Sequence, residues 1–346
     1  MQLRSMREKD IPQILEIWNA CVQNQEVLFY PMNEAEFRRL FQQSEGWNPE
    51  CLLVACENER ILGFLHAVAP GSFRGSRPGQ AYLTDIMVRP EARKQGVGQA
   101  LIQELKVRMR GMGAQEMVIS SLNPVNLPWR IPGTAGHDHN NSPGLDLSCH
   151  GAGFLQAQGF NLRVSEIAMY LDLAGYRPLP DLEERRNALR KQGIETGVYD
   201  PGKPCGFDRM CDRVGSEYWR DVLRTETQAW AEKKPNHDPR FWPDGVQPEG
   251  PRPILCAVCD GEMVGFTGPV DRQKSGRGWF TGICTDPEFE KRGIATVLFS
   301  LLMQAFVEEH AAFSTLFTGK ENHARRVYER VGFRPVREFG IMTMKL

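Results

Sequence analysis

Two spacings of apolar residues alternate along this chain. From residue 51 to 88 they form short runs separated by turn residues, so strands are predicted near 51–56, 61–68 and 81–88. Spacings of three and four take over on either side. Ile11, Ile14, Leu15 and Trp18 share one face of a helix that Asp10 is placed to cap, and Val97, Leu101, Ile102 and Leu105 share the inward face of another over about 96–110. A strand near 115–121, a short helix near 150–158 and a last strand near 163–171 complete an α+β pattern with a mixed sheet. "PDLEERRNALRKQG" then reads as a separate helix opened by Asp181 and ended by Gly193. A strand at "IETGVYD" follows, and after it a long helix near 206–231 with Met210, Val214, Tyr218, Val222 and Leu223 as its apolar face.

The same order of landmarks then returns. The hairpin "LLVACENERILGF" (52–64) reappears as "ILCAVCDGEMVGF" (254–266), and "RPEARKQGVGQ" (89–99) as "DPEFEKRGIAT" (286–296), with Gly96 and Gly293 set 197 positions apart. A late Gly-Phe leading into a strand also recurs, at Gly159 and at Gly332. The chain reads as two copies of one domain, 1–175 and 193–346, joined by a linker helix in 176–192. Gly96 to Gly159 covers 63 positions and Gly293 to Gly332 only 39, which gives the first copy 24 extra residues around "NLPWRIPGTAGHDHNNSPGLDLSC" (126–149). The second copy has instead a proline-rich loop at 233–253. Loops carry specificity on a shared scaffold, so both insertions are expected to shape the substrate site.

Composition narrows the function. A chain of 346 residues, 41% hydrophobic and 25% charged, suits two soluble domains, and a net charge of −1 disfavours nucleic acid as a partner. No apolar run has membrane-spanning length and "MQLRSMREKDIPQ" lacks a signal-peptide core, so neither a membrane partner nor export is expected. Nine cysteines fit reduced thiols in the cytoplasm. Two of them, Cys256 and Cys259 of "CAVC", fall three apart on a predicted strand and face opposite ways, so they do not share a metal. His137 and His139 lie in a polar loop without a second ligand cluster, and no metal is expected.

The glycine turn carries the chemistry. A strand, a proline and then "ARKQGVGQ" entering a helix gather several main-chain N–H groups at the positive end of that helix, while Gly96 and Gly98 leave the backbone open to close approach. That is an anion site of pyrophosphate type. The Gly-Lys-Ser/Thr ending of a Walker loop is absent, and Leu101 stands where the dinucleotide fingerprint needs a small residue.

Arg93, Gly96 and Gly98 at this spacing after a strand resemble the acetyl-CoA loop of the GNAT superfamily of N-acetyltransferases. The second copy keeps Gly293 and Ala295, with Glu290 where Arg or Gln is usual. Its "ENHARRVYERVGF" resembles the family's later motif, with Asn322, Ala324, Tyr328 and Gly332-Phe333 at the usual spacings. The resemblance covers nearly the whole chain as a tandem pair, organised similarly to mycothiol synthase. It implies two GNAT domains, each a twisted mixed sheet flanked by helices, with acetyl-CoA as acyl donor and a small-molecule primary amine as acceptor.

By the same resemblance, the pyrophosphate would rest on Arg93, Lys94, Gln95, Gly96, Val97, Gly98 and Gln99, or on the turn from Glu290 through Lys291, Arg292, Gly293, Ile294, Ala295 and Thr296, with Asn322 beside the cofactor. Pantetheine would pair near Met87 and Val88, or near Cys284 and Thr285. Tyr328 would hydrogen-bond the departing thiolate; the first copy has Leu155 there, so catalysis is expected in the C-terminal copy. Asp85, where the second copy has Gly282, is the candidate base if the first copy is active. The alternative is a non-catalytic acyl-CoA-binding or sensing protein.

Overall fold

The apolar runs of the first copy fold as an antiparallel meander, in which β1 (Gln2–Ser5), β2 (Leu52–Glu57), β3 (Arg60–Val68) and β4 (Gln80–Val88) pair in chain order. These strands are in a computed structural model that describes residues 1–236 and 250–346. Alternation along β2 sends Leu52, Val54 and Cys56 to one core and Leu53 and Ala55 to the other. Helix α1 (Ile11–Gln23), with the short α2 (Glu34–Phe37) after it, covers the first core through Ile14, Ile17, Trp18 and Phe37. Helix α3 (Val97–Gly111) covers the second through Val97, Leu101, Ile102 and Leu105. Asp10 stands at the start of α1 without capping it, because its carboxylate is taken by Arg4 at 2.6 Å and by the Arg7 N–H at 2.7 Å.

Strand β5 (Glu116–Ile119) follows α3 and lies parallel to β4, but the ladder holds only between Gln80–Tyr82 and Glu116–Val118. Beyond Tyr82 the two strands part. The remainder of β4, Leu83 to Val88, keeps β3 on one side and has no strand on the other among the described residues. The 126–149 insertion forms a small hairpin, β6 (Trp129–Arg130) with β7 (Asp138–His139), and then β8 (Leu145–Asp146), ahead of α4 (Gly151–Ala157).

The second copy repeats this plan. After α5 (Leu182–Arg190), strands β10 (Ile194–Val198), β11 (Leu255–Cys259) and β12 (Glu262–Thr267) form a meander. The counterpart of β4 is cut in two: β13 (Arg277–Trp279) runs parallel to β15 (Phe313–Gly319), and β14 (Ile283–Thr285) pairs with β12. Between β10 and β11 come α6 (Asp208–Val214) and α7 (Glu217–Glu232), while α8 (Ile294–Glu308) joins β14 to β15 and α9 (Arg325–Val331) follows β15. The single helix expected near 206–231 is broken, because Gly215 turns left-handed at φ 68° and Ser216 then starts α7 by accepting the Trp219 N–H at 3.3 Å. Asp181 likewise precedes α5 without capping it, its carboxylate being paired with Arg185 at 2.6 Å. Most of the proline-rich loop at 233–253 lies outside the described residues.

Two compact units result, Met1–Ala168 with Val336–Leu346, and Met169–Pro335. Strand β16 (Arg334–Lys345), the last of the second copy, pairs with β5 from Met342↔Ile119 to Lys345↔Glu116 and with β8 at Phe339↔Asp146. It therefore completes the N-terminal unit. The end of β9 (Asn161–Asp172), from Met169 onward, belongs instead to the C-terminal unit, where β9 neighbours β15. A division at 175 and 193 follows the sequence repeat, whereas the compact units trade their last strands. No helix among the described residues is long and apolar enough to cross a membrane.

Candidate active site

The two glycine turns have the same backbone. Lys94 and Gly96 are left-handed at φ 57° and 83°, and Lys291 and Gly293 at 61° and 94°, after matching short turns at Pro90–Ala92 and Pro287–Phe289. The first intrahelical bonds run from Ala100 N–H to the Gly96 carbonyl and from Val297 N–H to that of Gly293. The N–H groups of residues 94–99, and of 291–296, consequently have no acceptor among the described residues. Six converging donors at a helix start suit a pyrophosphate in each unit. A Cβ added at either Gly96 or Gly293 would meet nothing within 4 Å, so the space over both turns is open.

Side chains of the first turn behave differently from its main chain. Arg93 turns away from the anion position: it pairs with Glu26 at 2.6 Å and donates to the Val88 carbonyl at 3.0 Å, which fixes the turn to β4. The Arg93 hydrogen bond holds Glu26 below the usual carboxylate range. Gln95 bonds back to the Glu91 carbonyl at 2.8 Å. Gly98 faces protein, since a Cβ there would stand 3.1 Å from the ring of Phe154. Its bareness makes room for that ring.

Where β4 leaves β5 a cavity of about 840 Å³ opens, bordered by Leu83 to Val88, the turn, the insertion and Phe339 of β16. A bulge shapes its floor: His66 pairs with Asp85 and Ala67 with Leu83, leaving Thr84 as the extra residue. The Thr84 hydroxyl accepts from the Asn123 amide at 2.8 Å and lies 2.9 Å from His66 Nδ1. His66 is enclosed by Trp47 and Phe41 at ring distances of 5.6 and 5.1 Å, and burial pushes its titration down to about 3, so it is neutral.

Asp85 is 8% exposed and neither carboxyl oxygen has a hydrogen-bond partner. Burial pushes its titration up to about 8; the His66 main chain opposes this without reaching hydrogen-bond geometry with either oxygen. Met87 and Val88 border the same cavity on the edge of β4 that β5 has left. Leu155 is buried in the core, where it offers no hydrogen-bond donor.

In the C-terminal unit the space equivalent to Asp85 is closed. Gly282 takes φ 153°, and a Cβ there would lie 2.1 Å from the indole of Trp219, whose ring also packs edge-on against Phe266 at 5.4 Å. Cys284 is buried opposite Phe266, and burial pushes its thiol up to about 12. Asn322 accepts the Ala324 N–H at 2.9 Å. Tyr328 is 6% exposed among Phe280, Phe299 and Phe333, at ring distances of 5.8, 5.0 and 6.5 Å, and burial pushes its phenol up to about 12.

Thr84, Asn123, Phe154 and Phe339 were not singled out by sequence. A bulge leaves no sequence mark, and Phe339 reaches the first unit only through strand exchange. Cys256 and Cys259 lie on β11 as expected, and no group of three metal-ligating side chains occurs among the described residues.

The acetyltransferase (GNAT) family model matches residues 12–128 and 216–333, more than half of the chain. Among solved structures, a GCN5-related N-acetyltransferase from Sphaerobacter thermophilus is 17% identical at a TM-score of 0.57, the match covering 99% of this chain and 95% of that one. A tandem GNAT protein from the clavulanic acid biosynthesis pathway is 15% identical at 0.53, covering 99% and 98%. A fungal multi-domain GH3 β-N-acetylglucosaminidase with a GCN5-related glucosamine N-acetyltransferase region is 14% identical at 0.61; the match covers 99% of this chain but spans only 38% of that protein. At such identities the likeness is one of fold, and it extends over both copies.

Proposed function

The chain belongs to the acetyltransferase (GNAT) family, and from that premise we propose that it is an acetyl-CoA-dependent N-acetyltransferase of a small-molecule primary amine, with turnover in the N-terminal unit. The sequence motif around Tyr328 pointed to the other unit. The observation that carries the reading is Asp85, a buried carboxyl with two unbonded oxygens on the strand edge that borders the cavity. In the C-terminal unit Trp219 covers the corresponding position and Tyr328 packs among phenylalanines.

Main-chain amides of residues 94–99 hold the pyrophosphate, and the unpaired edge at Met87 and Val88 aligns the pantetheine. Asp85 then serves as the base. A carboxyl titrating near 8 lies between an ordinary carboxylate near 4 and an alkylammonium near 10, so it withdraws the ammonium proton far more readily than an unperturbed aspartate. The freed nitrogen forms a bond to the acetyl carbon, the C–S bond breaks with its electron pair on sulfur, and the proton that nitrogen sheds on becoming an amide balances the one the thiolate takes up.

A second reading, acyl-CoA binding without turnover, applies to the C-terminal unit, whose turn retains its shape while Trp219 fills the reacting position. None of the nine cysteines is in a disulfide, which supports a reducing compartment and hence the cytoplasm. The proposal includes no nucleic-acid or membrane partner.

Asp85→Asn is expected to lower kcat on the order of 10²-fold or more while leaving the acetyl-CoA Kd unchanged, and Tyr328→Phe to stay within about twofold of wild type. Release of CoA thiol measures the first quantity and calorimetry the second. Full turnover in Asp85→Asn with loss in Tyr328→Phe would return the active site to the C-terminal unit.

A further inference from the structure

Resting on that assignment of the acetyl-transfer site, we propose that the acceptor is a monoamine with an extended apolar body, selected by a wall that the insertion and the exchanged strand build together. Three carboxyls border the cavity, Glu26, Asp85 and Asp146. Glu26 is neutralised by Arg93 at 2.6 Å; Asp146 lies 3.4 Å from Arg337 and accepts the Ser148 N–H at 2.9 Å. Asp85 alone has neither oxygen bonded. Of the bordering cations, Arg93 is taken up by Glu26, and Lys94 stands at the turn, where the pyrophosphate would bind.

One carboxyl without a partner accommodates one ammonium. A polyamine or an aminosugar with several ammonium groups would bring further charges into the cavity with no counter-charge to meet them, and desolvating an unpaired charge is costly. The wall facing the remainder of the ligand is apolar, built from Phe29, Leu127, Trp129 and Phe339. Trp129 is held in place by its indole N–H on the Asn141 carbonyl at 2.8 Å, by a main-chain bridge to Phe29, and by the Phe339 ring 5.1 Å away. Leu127 and Trp129 belong to the 24-residue insertion, and Phe339 to β16. The C-terminal unit has neither, so this wall is specific to the unit that carries Asp85.

The unaltered full chain tests the proposal, with acetyl-CoA and release of CoA thiol as the readout. Along butylamine, hexylamine and octylamine kcat/KM is expected to rise about fourfold per methylene, the ratio that corresponds to ~0.8 kcal/mol for each buried CH₂, and 2-phenylethylamine is expected to exceed spermidine and kanamycin on the order of 10²-fold. Trp129→Ala flattens the series. Because Trp129 is buried, Phe29→Ser, at a half-buried position, supplies a second variant expected to act in the same direction. A flat series in the unaltered protein, or a preference for spermidine or kanamycin, would overturn the substrate class while leaving acetyl transfer in place. Acetyl-CoA binding without turnover on any of these amines would overturn both.

Discussion

Burial raises the titration of Asp85 toward neutral pH, and that has a consequence for stability as well as for rate. A carboxyl raised to about 8 in the fold binds its proton more tightly there than in the unfolded chain, where it titrates near 4. Between those two values stability falls as pH rises, by an amount on the order of a few kcal/mol at pH 7. Asp85→Asn removes the ionisation and keeps the shape. The variant is expected to melt several degrees above wild type at pH 8, with the gap closing toward pH 4, in thermal scans across that range. An Asn variant that melts lower at pH 8 would mean that the carboxylate is bonded in the fold. Function is here placed on a group that weakens the fold, as is common at active sites. Sequence marked Asp85 by its place on a strand ahead of the glycine turn. Its burial and its two unbonded oxygens depend on tertiary packing, and the bulge at Thr84 beside it and the parting of β4 from β5 are likewise not written in local periodicity.

At the scale of the element, the glycine turn was the most legible part of the chain, because left-handed positions at Gly96 and Gly293 and the start of a helix are local properties. What the turn's side chains do was less legible. Arg93 and Gly98 fit the motif, yet one is an anchor for Glu26 and the other makes room for Phe154, contacts that depend on residues far along the chain. Gly96→Val places a branched side chain in the open space over the turn and forces an unfavourable φ. Calorimetry is expected to show the acetyl-CoA affinity of the N-terminal unit falling at least tenfold, with turnover lost. Gly293→Val makes the same change in the other unit and is expected to leave turnover intact. Equal losses of turnover in the two variants would contradict a single active unit. The broken helix at Gly215 shows the opposite case, where apolar spacing carried across a C-terminal glycine cap and suggested one element in place of two.

For the molecule as a whole, the repeat was readable and the exchange of last strands was not. β9 and β16 both alternate apolar residues, as at Ala168 and Tyr170 and at Met342 and Met344, and alternation fixes a face without naming the sheet that receives it. The exchange makes the second copy a structural part of the first unit's cavity through Phe339. Copies with the same turn have diverged at one equivalent strand position, an aspartate in one and a glycine beneath Trp219 in the other. The titratable groups bordering the cavity beside Asp85 are Glu26, Arg93, Lys94, Asp146, Cys149, His150 and Cys21, and across the ladder lies neutral His66. The pH dependence of kcat/KM for an alkylamine tests the central claim most directly, since it reports the free enzyme's base. With Asp85 as that base, the slope of log kcat/KM against pH decreases by one at a break near pH 8 in the wild type, and this break is missing from the residual activity of Asp85→Asn. A profile that has the same break in both proteins, or none in the wild type between pH 6 and 9, would contradict turnover at Asp85 in the N-terminal unit.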